Sequence, residues 1–273
     1  MPESIITDEN VEILLADLLE VYGYDFSDYS RASLKRRINR IYSLDKFKGF
    51  TEFRYHIRSD ASYLKRFVEE ITVNVTEMFR DPGFYKALRE EVLPHLGTYP
   101  FIRIWLAGSS TGEEAYSIAI ILQEANLLHK SLIYCTDINP SVLEKAAKGI
   151  FPLSQMKQYS ENYILSGGKK DFSSYYSANY DLAKFNEILK TKMIFSTHNL
   201  VSDHSFNEFQ LILCRNVLIY FDKNLQTKVF NLFNESLDQL GFLALGSKET
   251  LQFSSIASKF KKVGLEKIWR RTV

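Results

Sequence analysis

The stretch Ile102-Arg103-Ile104-Trp105-Leu106-Ala107-Gly108-Ser109-Ser110-Thr111-Gly112-Glu113-Glu114-Ala115-Tyr116-Ser117-Ile118-Ala119 decides the fold. A short apolar run, Ile102 to Ala107, meets a turn of small residues and then a helical pattern. Strand, tight turn and helix N-terminus in that order make a ligand site. Small residues let a ligand approach the backbone, and the unpaired N–H groups of the first helical turn face it. A phosphate would want basic residues here. Glu113 and Glu114 stand there instead, so a cationic or hydroxyl-rich ligand fits better than a nucleotide phosphate.

Downstream of Pro100 the same alternation continues. Strand-like runs at Leu132–Thr136, Met193–Ser196, Phe209–Cys214 and Phe242–Gly246 alternate with helical ones at Thr111–Leu128, Pro140–Lys148 and Lys223–Leu240, and Glu266–Arg271 reads as a last strand. That rhythm implies an α/β fold with a mostly parallel sheet covered on both faces. Ligands bind such sheets at the carboxyl ends of the strands, near the topological switch point. Residues 151–192 interrupt the rhythm with Ser166-Gly167-Gly168-Lys169-Lys170 and a tyrosine-rich run from Ser173 to Tyr180. A structureless loop of that length is uncommon inside a compact domain, so a small inserted antiparallel ribbon is expected.

Upstream, residues 1–80 read as a helical domain and 81–273 as the sheet domain. Val11, Leu14, Leu15, Leu18 and Leu19 repeat at helical spacing after Asp8-Glu9, and Gly23 ends that element. Ser30 is placed to cap a helix from Arg31 to Tyr42, with Leu34, Ile38 and Ile41 inward and Arg31, Lys35, Arg36, Arg37 and Arg40 on the other face. Further helices are expected over Thr51–Ile57, over Ala61 to about Val73, and after Asp81-Pro82.

The bulk numbers narrow the function. The 273 residues are 45% hydrophobic and 25% charged with net charge +1, ordinary for a soluble globular chain and without the global field that nucleic acid binding favours. No apolar run reaches the ~20 residues of a membrane span. The acidic start Met1-Pro2-Glu3-Ser4 and two strand-end cysteines, Cys135 and Cys214, read as a cytoplasmic protein with buried reduced thiols. The histidines show no metal-ligand spacing, so no metal is expected.

Five segments fall where such a sheet gathers a ligand. The first is Gly108–Glu114. In the second, Thr136-Asp137-Ile138-Asn139, Asp137 can accept the hydroxyls of a ribose, or it can cap the helix opening at Pro140. In the third, His198-Asn199-Leu200, Asn199 can read an adenine edge or hold its own loop. The fourth runs from Leu213 through Cys214, Arg215 and Asn216 to Phe221-Asp222; Arg215 leaving a buried strand needs a ligand carboxylate or a protein carboxylate. The fifth, Asn74 to Pro82, stands at the seam of the helical and sheet parts, and could be only a capped helix junction.

Together these segments resemble the chemotaxis receptor glutamate methyltransferases of the CheR type, which use S-adenosylmethionine. The family's Ala-Gly-x-Ser-x-Gly-Glu-Glu-Pro-Tyr-Ser is Ala107 to Ser117 here, with Ala115 for Pro. Its Asn-x-Thr-x-Phe-Phe-Arg is Asn74 to Arg80, with Met78 for the first Phe. Its Thr-Asp-Ile-Asp is Thr136 to Asn139, and its Cys-Arg-Asn-Val-x-Ile-Tyr-Phe is intact from Cys214 to Phe221. The late Gly-His-Ser-Glu is altered to Gly246-Ser247-Lys248-Glu249, which puts its local hydrogen bonds in doubt.

The resemblance implies a Rossmann-like class I methyltransferase sheet with a helical N-terminal domain and a small inserted β-subdomain. It implies that Asn74, Thr76 and Arg80 close over the cofactor, and that Glu114 and Asp137 hold its amino-acid and ribose portions. It further places Asn199 and Leu200 at the adenine, Arg215 and Asn216 along the methionine part, and Arg80 and Tyr220 near the reactive methyl. The product is S-adenosylhomocysteine. The partner implied is an acidic, helical receptor meeting the basic helix Arg31–Arg40, with the inserted ribbon as a second docking element. Ionised glutamate is already a nucleophile at neutral pH, so no general base is required.

Three rival readings exist. Gly108-Ser109-Ser110-Thr111-Gly112 also matches the nucleophile elbow of serine hydrolases, with Ser110 as nucleophile, but only His198 and His204 follow it. A cofactor-binding sensor or scaffold would keep the fold without methyl transfer. A methyltransferase acting on nucleic acid or a small molecule is the third.

Overall fold

The structure is a computed structural model that describes residues 6–27, 29–72 and 76–272. The described chain forms two compact units, one of residues up to 72 with 219–228, the other of 76–218 with 229–272.

The first unit is helical. It holds α1 (Asp8–Tyr22), α2 (Arg31–Leu44), α3 (Phe50–Ser59) and α4 (Ala61–Ile71). Thr7 opens α1 with a reciprocal capping box to Asn10, and Gly23 closes it in the left-handed conformation at φ 73°. Leu14, Leu18, Leu34, Ile38, Phe53, Ile57, Phe67 and Ile71 interlock as one buried core. Ser30 precedes α2 but makes no side-chain cap. Its N–H donates instead to the Tyr220 carbonyl at 2.9 Å. The expected outer face of α2 is only partly outer. Arg37 is buried, because its guanidinium donates to the Ile71 carbonyl and to Ser33 Oγ and lies 4.5 Å over the Tyr220 ring. Arg36 and Arg40 are exposed. The end of α4 expected near Val73 lies outside the described residues.

The second unit opens with α5 (Pro82–Ala87), a π-helical turn Leu88–Val92 and α6 (Leu93–Leu96). Its main sheet is built from β1 (Ile102–Ala107), β2 (Ser131–Asp137), then after the insert β6 (Met193–Thr197), β7 (Phe209–Cys214), β8 (Leu237–Leu245), β9 (Phe260–Val263) and β10 (Ile268–Arg271). The order is β6-β2-β1-β7-β8-β10-β9, parallel through β8 and antiparallel for the last two pairs. Helices α7 (Glu113–Glu124) and α8 (Pro140–Lys148) follow β1 and β2. The strand order reverses between β1 and β7, so their carboxyl ends open a switch point.

The insert is a three-stranded antiparallel sheet, β3 (Ile150–Pro152), β5 (Leu182–Phe185) and β4 (Tyr176–Asn179), with α9 (Met156–Leu165) and α10 (Glu187–Lys190). Tyr116 of α7 packs edge-on against Phe151 and tilted on Phe185, which anchors the insert to the main sheet's covering layer.

Three of the differences from the sequence reading have a definite physical cause. Helix α7 starts at Glu113 rather than Thr111, because Gly112 is left-handed at φ 98°, and stops before Asn126, itself left-handed at φ 57°. The helix α11 (Lys223–Ser236) does not continue to Leu240. Leu237 already pairs with Phe209, and a bulge carrying left-handed Leu240 shifts the register before Phe242 meets Leu211. Strand β9 went unread, since Phe260-Lys261-Lys262-Val263 is an edge strand whose lysines break the apolar pattern.

Within the helical unit, Asp17 is buried and takes two hydrogen bonds from Arg54, at 2.6 and 2.8 Å, and one from Arg58 at 2.6 Å. The Arg54 bonds hold its carboxyl below the ordinary value of 3.8 despite burial. A depressed acid contributes stability above its unfolded pKa and loses it as pH falls through the folded one. Both arginines are half exposed, so screening limits the gain. Asp17→Ala is expected to lower unfolding free energy by about 1–2 kcal/mol at pH 7. Urea titrations should show the gap to the parent closing as pH drops below 3.8.

Candidate active site

The carboxyl ends of β1, β2, β7 and β8 carry the candidate residues. After β1 the chain turns sharply, and the Gly108 and Ser109 N–H groups both donate to the Thr136 carbonyl of β2 at 2.9 Å. Gly108 is left-handed at φ 83°, and a Cβ there would lie 2.5 Å from Val217 Cγ2. The turns after β1 and β7 therefore touch at the switch point, and only glycine permits it. Ser110 is also left-handed, at φ 49°, a strained non-glycine conformation.

Asp137 explains that strain. One of its oxygens accepts the Ser110 N–H at 2.9 Å and the other accepts the Asn139 N–H at 3.0 Å. It does not cap α8; Asn139 does, accepting from Ser141 N at 2.9 Å. Burial pushes the Asp137 carboxyl above its ordinary range, against the backbone bonds from Asn139, Ser110 and Ile138 that pull it down. Around it, Ser109 Oγ, Ser110 Oγ and Asn139 Nδ2 are buried without a hydrogen-bond partner among the described residues. Buried donors of this kind are ordinarily satisfied, so this corner suits a ligand rich in hydroxyls.

Arg215, leaving β7, is the most buried cation of the site. Its Nη1 donates to Glu114 Oε1 at 2.8 Å, and its Nη2 donates to Asp81 Oδ2 at 2.8 Å and to the Arg80 carbonyl at 2.9 Å. The guanidinium lies 4.0 Å over the Phe84 ring. Burial by itself disfavours the cation, but Glu114, Tyr85 and Asp81 outweigh it and raise its pKa above the ordinary arginine value. The sequence left open which carboxylate meets Arg215; two protein carboxylates do. Asp81 and Phe84 were missed as partners, since nothing local in Asp81-Pro82 signals a bond to a residue 134 positions away.

The segment before α5 is therefore more than a capped junction. Asp81 makes no cap bond and both it and Phe79 are left-handed, at φ 59° and 53°. Phe79 N–H donates to Ser117 Oγ at 3.0 Å, and Asn162 Nδ2 donates to the Met78 carbonyl at 3.0 Å. Arg80 and Thr76 are half-buried on this segment, while Asn74 lies outside the described residues. Of the two turn glutamates, Glu114 serves Arg215 and Glu113 is buried, accepting from Thr111 Oγ1 at 2.6 Å, with burial raising its carboxyl.

Asn199 and Leu200 are half-buried after β6. Asn199 Oδ1 accepts the Val201 N–H at 2.9 Å, so the loop-holding reading of this asparagine holds for its oxygen. Asn216 is left-handed at φ 60°, and its N–H donates to Glu249 Oε2 at 3.0 Å. In the altered Gly246–Glu249 segment the Gly246 N–H donates to Glu249 Oε2 at 2.6 Å, while Ser247 and Lys248 are exposed. Tyr220 belongs to the helical unit, where Arg37 covers one face of its ring. The nucleophile-elbow reading fails on geometry: Ser110 Oγ has no hydrogen-bond partner among the described residues, and His198 Nε2 faces the His204 carbonyl.

Comparison with known proteins then decides the family. Models described as the SAM binding domain and the all-alpha domain of CheR methyltransferase match residues 74–268 and 9–72. The chain belongs to the CheR methyltransferase family. A putative methyltransferase, Cher3, of Pseudomonas putida is 44% identical over 97% of this chain and 98% of its own. A chemotaxis protein methyltransferase of Listeria monocytogenes is 32% identical over 84% of this chain and 85% of its own, and one of Salmonella typhimurium 31% over 89% and 83%. The sheet is thus the Rossmann-like sheet of a class I methyltransferase, and S-adenosylmethionine is the cofactor of this CheR methyltransferase. The donor set fits it: the Asp137 carboxylate, with Ser109 Oγ, Ser110 Oγ and Asn139 Nδ2 buried beside it, suits a cationic, hydroxyl-bearing molecule.

Removing Arg215 strands Glu114 and Asp81. Arg215→Ala is expected to lower unfolding free energy by about 3–5 kcal/mol, and Arg215→Lys to recover only part of it, since one ammonium cannot span both carboxylates. Denaturant titration checks this; parent-like unfolding of Arg215→Ala would refute the bridging role.

Proposed function

We propose that this methyltransferase esterifies glutamate side chains on an acidic, helical chemoreceptor-like protein. The observation that carries the cofactor side of the reading is Asp137, held against the Ser110 turn with orphaned hydroxyl and amide groups around it. The relatives named chemotaxis protein methyltransferases support the receptor side.

When bound, S-adenosylmethionine supplies a methyl group on a positively charged sulfur. Asp137 is assigned to the ribose: its two oxygens accept backbone N–H groups from Ser110 and Asn139 and have lone pairs to spare for a hydroxyl. Ser109, Ser110 and Asn139 line the same corner as donors. Leu200 and the amide nitrogen of Asn199 are assigned to the adenine. Glu114, Arg215 and Asn216 are assigned to the amino-acid end, with Asn74, Thr76 and Arg80 also on the cofactor.

The reacting glutamate needs no base, because it is ionised at neutral pH. With the cofactor held by Asp137, Glu114, Arg215 and Asn216, this oxygen would take the methyl group and the carbon–sulfur electron pair would return to sulfur, neutralising both charges. Positioning is then the protein's main contribution, worth up to roughly 7–11 kcal/mol. Arg80 is assigned to the incoming carboxylate, and the Tyr220 hydroxyl to its orientation. Arg36 and Arg40, the exposed cations of α2, are assigned to the acidic substrate; Lys35 is bonded to Asp8 at 2.8 Å and Arg37 is buried.

Incubation with methyl-labelled S-adenosylmethionine and a receptor-like helical protein should give label that mild base releases as methanol; base-stable label would overturn the ester. Asp137→Ala should weaken S-adenosylhomocysteine by about 10- to 100-fold in calorimetry. Because burial raises the Asp137 pKa, parent affinity should fall on acidification at a higher pH than an ordinary aspartate would set, while Asp137→Asn stays flat. Tyr220→Phe should lower turnover and leave cofactor affinity unchanged. Arg36→Glu with Arg40→Glu should raise the substrate KM severalfold at low salt, an effect that fades as salt screens exposed charge.

A further inference from the structure

The turn after β7 carries Arg215 and Asn216, and it is held by a carboxylate from the turn that follows β8. Glu249 is buried at 5% exposure. Its Oε2 accepts two backbone N–H groups at once, Gly246 at 2.6 Å and Asn216 at 3.0 Å. The Glu249 N–H donates back to the Gly246 carbonyl at 2.9 Å, closing a tight turn. Gly246 is the only residue type that fits between them: a Cβ would lie 2.7 Å from Glu249 Oε2 and 2.8 Å from Asn216 N. The carboxylate therefore ties the ends of two adjacent parallel strands, whose last pair is Cys214 with Leu245.

What is tied is one of the strained residues of the site. Asn216 is left-handed, and its neighbours on either side are Arg215, bonded to Glu114 and Asp81, and Val217, against Gly108. The charge-assisted bond at Asn216 N offsets part of the cost of that conformation. We propose that Glu249 is a positioning residue for cofactor binding, acting through Asn216 by fixing the Arg215–Val217 turn. The inference rests on the assignment of the cofactor to these strand-end turns. Ser247 is exposed and outside the clamp.

The test compares Glu249→Ala, Glu249→Gln, Gly246→Ala and Ser247→His with the parent. Three readouts are needed: S-adenosylhomocysteine affinity by calorimetry, amide exchange at residues 216 and 246 by NMR, and thermal unfolding. Glu249→Ala should weaken affinity about tenfold or more and speed exchange at both amides. Glu249→Gln should restore affinity to within about threefold, since an amide oxygen can replace Oε2 as acceptor. Gly246→Ala, which drives a methyl into the clamp, should weaken affinity alongside Glu249→Ala and keeps the test decisive if that variant fails to fold. Ser247→His should match the parent. Faster exchange in Glu249→Ala with parent affinity would overturn the proposal, as would unchanged exchange. A parent that binds no S-adenosylhomocysteine would instead remove the cofactor assignment itself.

Discussion

A guanidinium sealed from water has to be met by carboxylates, and Arg215 draws them from distant parts of the chain. Glu114 comes from the first turn of α7 and Asp81 from the segment before α5, 101 and 134 positions away in sequence. Coulomb attraction in a low-dielectric interior makes such a pairing strong only if every partner is in place. The consequence is structural coupling. The turn after β7, the helix after β1 and the segment Phe79–Asp81 are located by one cation, and all three carry residues assigned to the cofactor. The acidic turn that the sequence shows at Glu113-Glu114 is thus divided, one carboxylate spent on the framework and one buried beside Thr111.

The parallel sheet was legible because its strands are short apolar runs bounded by turn residues. Ile102–Ala107 and Phe209–Cys214 match the structure to the residue, since both sides of a central strand are covered and no polar alternation blurs them. The edge was not legible. Lys261 and Lys262 serve as guards on β9, which makes a strand resemble a loop. Leu237–Leu240 reads as helix because a β-bulge breaks the two-residue period.

The site was legible at its motifs and opaque in its pairings. Asp137 stands out as an acid at a strand end, but that it supports the Ser110 backbone depends on a turn geometry that no local rule supplies. Arg37 shows the limit most clearly. Helical periodicity placed it on a basic face, yet a long side chain can turn inward when a carbonyl and an aromatic ring are available, as Ile71 and Tyr220 are. The basic face is therefore narrower than its sequence, with Arg36 and Arg40 exposed and Lys35 tied to Asp8.

The central claim is that the cofactor lies where the turns after β1, β2 and β7 converge. Titrating isotope-labelled protein with S-adenosylhomocysteine and following backbone amide resonances tests it most directly. The account predicts that the largest shifts gather on Ser109, Ser110, Asn139 and Asn216. Saturable shifts confined to other surfaces, with these amides unmoved, would contradict it.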